Sequence, residues 1–156
     1  MKAIMFASYK GGVGRTLILA NVAVNLTKKK GMRIGIIDLD FEAAGLHQVF
    51  EKDVAGRLSI MEAIIEEQPT LIGGINIDIT RSHYLKPKSE ACLCLLPGHN
   101  SNPERFDKIT WSPDQLDTLN AIIRIWCRAQ ALDLVLLDTR AGISGAYASA
   151  LDLSHG

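Results

Sequence analysis

Three short apolar runs, 3–8, 33–39 and 133–137, each break off at residues able to do chemistry. The first leads into Gly11, Gly12 and Gly14, the second ends in Asp38, Leu39 and Asp40, and the third stops at Asp138. Between them lie stretches long enough for helices. Residues 15–30 carry an apolar face through Leu17, Ala20, Val24 and Leu26, and 113–131 carry one through Leu116, Leu119, Ile122, Ile123 and Trp126. Buried strands alternating with amphipathic helices are the mark of βαβ units, which predicts an α/β fold with a mostly parallel sheet.

The remaining elements fit the same plan. Residues 42–51 read as a short helix or ordered loop, and 59–67 as a helix opened by Ser59 as its cap. Residues 75–80 alternate apolar and polar as a strand does, and 91–96 form another strand, stopped by Pro97-Gly98. The polar stretch 81–90 reads as a hairpin or loop, and 99–108 is irregular, with Asn100, Ser101, Asn102 and Pro103. Lys28, Lys29 and Lys30 precede Gly31, as basic residues do before a glycine-capped helix end. A nucleic-acid patch is the alternative reading of that run. With 156 residues and no evident linker, the chain reads as one domain, 1–156.

The segment Tyr9-Lys10-Gly11-Gly12-Val13-Gly14-Arg15-Thr16 lies between a strand and a helix. Glycines allow a tight turn that brings successive backbone N–H groups toward one point, and a helix N-terminus behind them completes an anion cradle. A hydroxyl such as Thr16, in the first helical turn, is placed to ligate a magnesium ion held by phosphates. The common phosphate-loop pattern, G-x-x-x-x-G-K-[ST], is broken twice, since Tyr9 replaces its first glycine and Arg15 its lysine. A plain glycine turn between strand and helix is the alternative that the loop alone leaves open.

Residues 10–16 resemble the deviant Walker A motif of the ParA/MinD group of P-loop ATPases, K-G-G-x-G-K-[ST]. The wider likeness takes in Asn21, the stretch from Asp38 through Glu42-Ala43-Ala44-Gly45-Leu46-His47, and Asp138-Thr139-Arg140-Ala141-Gly142. K-G-G-V-G-R-T is similar to an arginine variant of that group. The resemblance implies a three-layer, Rossmann-like P-loop NTPase that binds ATP and Mg²⁺ and works as a nucleotide-dependent homodimer, with an activating or cargo protein as a further partner. It assigns Lys10, Gly11, Gly12, Val13, Gly14, Arg15, Thr16 and Leu17 to the nucleotide. Lys10 would act across the dimer, Asp40 on the attacking water, and Thr16, Asp38 and Asp138 at the metal. Gly142 would be the switch II glycine, and Arg140 stands where many relatives have proline. In that family the sheet and base-recognition segments run on well beyond the Walker B strand, so the chain reads as the N-terminal part of a longer domain. ATP over GTP rests on the resemblance. Three alternatives remain beside a slow ATPase switch: a nucleotide-binding regulatory module with little hydrolysis, an ATP-dependent biosynthetic enzyme, and an electron-transfer relative of nitrogenase iron protein, whose cluster cysteines have no convincing match here.

Composition narrows the partners. Seventeen basic and seventeen acidic residues cancel, so a sequence-blind pull toward DNA or an anionic membrane is not supported. No stretch reaches the roughly 20 apolar residues of a membrane span. The three cysteines, Cys92, Cys94 and Cys127, lack a disulfide framework and point to a reducing cytoplasm. Cys92 and Cys94, two apart in a strand, share a face, for which core packing is the favoured reading and a shared metal the other. His47, His83, His99 and His155 are scattered without zinc or triad spacing, and Trp111 and Trp126 read as core or cap residues.

Overall fold

Strands apolar on both faces need a layer of helices on each side, and the chain builds that sandwich. The computed structural model describes residues 2–43, 45–55, 57–68, 73–79, 90–99 and 109–139. Their elements are β1 (Lys2–Phe6), α1 (Arg15–Asn25), β2 (Arg33–Leu39), α2 (Leu46–Val49), α3 (Ile60–Ile65), β3 (Ile75–Asn76), β4 (Cys92–Leu96), α4 (Pro113–Ala129) and β5 (Leu134–Thr139). The strands join in the order β1-β5-β2-β4-β3. The first four run parallel, and β3 alone pairs antiparallel, with β4. This is the mostly parallel α/β sheet that the sequence predicts.

Strand alternation sorts the core into two layers. Ile34 and Ile36 of β2 and Leu134 and Leu136 of β5 pack with Leu19 and Ala23 of α1. Ile37, Leu39, Val135 and Leu137 face the other way, against Ile60 and Ile64 of α3 and Leu119, Ile122 and Trp126 of α4. Trp126 reaches the sheet because Gly35 has no side chain: a Cβ there would lie 2.5 Å from Leu132 Cδ1 and 2.9 Å from the Trp126 ring. Gly74 admits the other edge of the same ring, its ideal Cβ falling 2.5 Å from Trp126 Nε1.

Several boundaries differ from the sequence reading. The first helix is α only to Asn25 and ends in five residues of π-helix, Leu26–Lys30, closed by Gly31 at φ 73°. The lysine run is thus a glycine-capped helix end, although Lys28 is buried. The strand expected over 75–80 keeps its alternation, with Ile75, Ile77 and Ile79 buried, but its ladder is only two residues long. Ser59 caps α3 and contacts Glu62 Oε2 in a capping box. The S-x-x-E spacing from Ser59 to Glu62 signals such a box, which extends the expected Ser59 cap. Residues 81–89 and most of 99–108 lie outside the described residues.

Candidate functional site

The strand register sets the site. Phe6 of β1 stands level with Asp138 of β5, and Asp138 with Asp38 of β2. By alternation Asp38 and Asp138 continue the rows of Ile34, Ile36, Leu134 and Leu136, so they share the sheet face on which α1 packs. Both are almost wholly buried, each 1 % exposed. They therefore lie at the carboxyl ends of parallel strands, where open α/β sheets bind ligands, on the side of the glycine loop.

The loop needs its glycines for their backbone. Gly12 and Gly14 have φ of 73° and 79°, which side chains disfavour. Gly14 is the N-cap of α1, with no side-chain cap and no acidic residue in the first turn. The first-turn N–H groups thus have no side-chain acceptor from the helix's own start. Lys10, Gly11 and Val13 are exposed, and Thr16 is partly buried at the second helical position.

β2 ends at Leu39, so Asp38 is a strand residue and Asp40 lies just beyond the strand. Asp38 accepts the Asp40 amide at 3.2 Å and the Leu46 amide at 3.1 Å. Burial pushes its pKa up to about 7, the Asp138 charge adds to the rise, and the Leu46 amide opposes it. Asp40 leaves the strand and accepts the Ala43 amide at 3.2 Å. Gly98, following β4, closes the wall behind them, since a Cβ there would lie 2.6 Å from the Asp38 carbonyl oxygen.

Arg15 supplies the positive charge. Its Nε donates to Asp138 Oδ1 at 2.9 Å and its Nη1 to Ser8 Oγ at 2.6 Å, while Nη2 lies 3.7 Å from Asp40 Oδ2. Ser8 in turn donates to the Lys10 carbonyl at 2.8 Å. The family resemblance assigns Arg15 to phosphate, and Ser8 carries no sequence signal of its own because its role depends on which way Arg15 turns. His47 and His99, scattered in sequence, meet edge to face, 6.2 Å between ring centroids, because β2 and β4 are neighbours. Burial lowers the pKa of both. Gly142 and Arg140 lie outside the described residues. The Asn21 side chain donates within its own helix, to the Leu17 carbonyl at 2.8 Å, and Leu17 is exposed.

Cys94 is buried and Cys92 packs against the same apolar cluster, as core packing predicts. Burial drives the Cys94 and Cys127 thiols up to about 12, so both stay protonated. Among the described residues, no helix is long and apolar enough to cross a membrane.

The family model described as "ParA: NUBPL iron-transfer P-loop NTPase" matches residues 1–94, more than half the chain. The chain belongs to the ParA family. This ParA-family chain is 29 % identical over 153 residues to the flagellum site-determining protein YlxH of Helicobacter pylori, covering 98 % of this chain and 45 % of that protein. An uncharacterised ATP-binding protein of Methanocaldococcus jannaschii is 37 % identical over 85 residues, 54 % of this chain and 31 % of its own length. The chain thus spans less than half the length of these relatives. Among solved structures, cobyrinic acid a,c-diamide synthase of Mycobacterium smegmatis with ADP and magnesium superposes with a TM-score of 0.75 at 18 % identity, over 99 % of this chain and 57 % of that one. The septum site-determining protein MinD of Pyrococcus horikoshii with Mg-ADP gives 0.68 at 21 %, over 97 % and 54 %. These likenesses show the three-layer P-loop fold, and the family match makes the chain a ParA-type P-loop NTPase.

Proposed function

We propose that this chain is the N-terminal, phosphate-binding part of a cytoplasmic ATPase that works as a nucleotide-dependent dimerisation switch in positioning, partitioning or signalling. The observation that carries the reading is the convergence of the glycine loop, the open start of α1 and the carboxylates Asp38, Asp40 and Asp138 at one end of the sheet. Lys10 to Leu17 wrap the phosphates, with the Gly11 to Thr16 amides as donors. The donor set suits a hard divalent cation, being a hydroxyl and two carboxylates. Thr16, Asp38 and Asp138 would hold Mg²⁺, which when bound would neutralise phosphate charge. Asp40, freed from the strand, is placed at the rim to orient a water for attack on the terminal phosphate.

Exposure supports the dimer. Lys10 stands clear of the fold, and Tyr9, Val13, Leu17 and Ile18 around it are 92 %, 56 %, 56 % and 55 % exposed. Apolar surface of that kind is what a subunit contact buries. A protein partner that activates hydrolysis or serves as cargo would read the dimer. The pairing of Arg15 with Asp138 favours a second reading, a regulatory module that binds nucleotide and turns it over little, because a guanidinium held by a carboxylate does not stabilise transferring phosphate.

Parallel binding, phosphate-release and light-scattering measurements on the full-length protein test the proposal. Lys10→Ala should keep nucleotide binding and lose ATP-dependent dimers. Asp40→Ala should bind ATP yet slow the chemical step roughly 10²–10⁴-fold. Dimerisation unchanged in the first variant refutes the trans role of Lys10. Equal loss of binding and turnover in the second removes Asp40 from the water.

A further inference from the structure

Asp38 and Asp138 sit side by side at the end of the sheet, both 1 % exposed, with Asp40 beside them. Carboxylates so close and so dry either hold a proton or face a positive charge, and removing the cation would leave Asp138 an uncompensated buried charge. The described residues supply that charge from inside the site. The Arg15 side chain is itself only 11 % exposed and directs three nitrogens at oxygens from three segments: Ser8 after β1, Asp40 after β2 and Asp138 in β5. A lysine ammonium is a single point of charge on a flexible stem, whereas the planar fork of arginine serves several acceptors at once. The substitution in the motif and the contacts of the guanidinium thus explain each other.

We infer that Arg15 is the resident cation of this site and competes with a divalent metal ion for Asp138. The strand ends are held together by the guanidinium without metal. A divalent cation gains the carboxylate only when Arg15 is drawn off, for which a polyphosphate is the fitting anion. Arginine at this position therefore sets the metal dependence of the site. The inference rests on the reading above only for the identity of that anion.

Thermal melting of the full chain without nucleotide, in chelator and then in magnesium chloride, tests it. The wild-type midpoint should not respond to magnesium. Arg15→Ala should melt roughly 5–10 °C lower in chelator, as expected for a broken, mostly buried pair, and magnesium should restore part of the loss. The double variant Arg15→Ala, Asp138→Asn should show no magnesium response. If Arg15→Ala does not fold, Arg15→Lys, which keeps the charge and loses the fork, should show a smaller loss and a smaller response. Wild-type protein that gains from magnesium as much as the variant overturns the inference. So does an Arg15 variant that melts like the wild type in chelator, or one that magnesium does not restore. Because nucleotide is absent from every arm, failure here leaves the nucleotide-binding reading standing, and a failure to bind nucleotide would leave these melting shifts unchanged.

Discussion

Helices α1 and α4 pack on opposite faces of one sheet and begin in opposite ways. At α4, Ser112 Oγ accepts the Gln115 amide at 3.3 Å, proline takes the first helical position and Asp114 sits in the first turn. Its own sequence thus answers both the unpaired N–H groups and the positive end of the dipole. At α1 the cap is a glycine at φ 79°, with no side-chain acceptor and no acid. Apolar residues at that start, Val13, Leu17 and Ile18, are exposed, whereas α4 buries Leu119, Ile122, Ile123, Trp126 and Cys127. One helix is finished for stability. The other is left open at the end that faces the carboxylates, which is where an anion would bind.

If α4 is the stabilising member, the largest loss should come from its largest buried side chain. Trp126→Ala should cost about 3–5 kcal/mol, a large part of a total of about 5–15 kcal/mol, measured by denaturant unfolding. A loss well under that range would mean that the contacts with Gly35 and Gly74 are loose.

On the α1 side the corresponding signature is a dependence on pH. The folded pKa of Asp38 is raised from 3.8 to about 7, so between those values the folded state holds more protons than the unfolded chain. Stability contributed by this group is therefore full below the unfolded pKa and falls as pH rises toward 7. His47 and His99, with lowered pKa values, slope the other way as pH drops below 6.5, so the variant must be compared with wild type. Asp38→Asn should remove the acid-side advantage between about pH 4 and 7, read from melting midpoints across that window. Parallel profiles for the two proteins would show that Asp38 titrates normally.

The smallest effect belongs to the α4 cap. Ser112→Ala should cost about 1 kcal/mol and leave nucleotide binding as it was. Weakened binding in that variant would tie the two helix ends together and break the contrast.

What the sequence made legible follows from physics that is local or periodic. Apolar runs at 33–39 and 133–137 mark strands buried on both faces, and the carboxylates that end them must emerge at a strand end. Gly31 after three lysines marks a helix end because the signal lies within one turn. Pairings between distant segments carry no such signal. The meeting of His47 with His99 needs the adjacency of β2 and β4, and the turn of Arg15 onto Asp138 spans 123 residues. The π-helix at 26–30 is a shift in hydrogen-bond register that composition does not record. The Ser59 to Glu62 box, by contrast, lies within four residues and was open to the sequence.

The contrast between the helices rests on the claim that the open end of α1 is a nucleotide phosphate site. Calorimetric titration of ATP into the full chain and into Gly14→Ala tests it most directly. Alanine at φ 79° costs about 1–2 kcal/mol of backbone strain, little enough to leave the protein folded, and it favours extension of the helix through the loop. The account predicts that the wild-type chain binds ATP and that Gly14→Ala binds it at least roughly tenfold more weakly, as loss of one or more charge-assisted hydrogen bonds requires, while still melting cooperatively. Equal affinity in the two proteins, or no binding by the wild type, would contradict it.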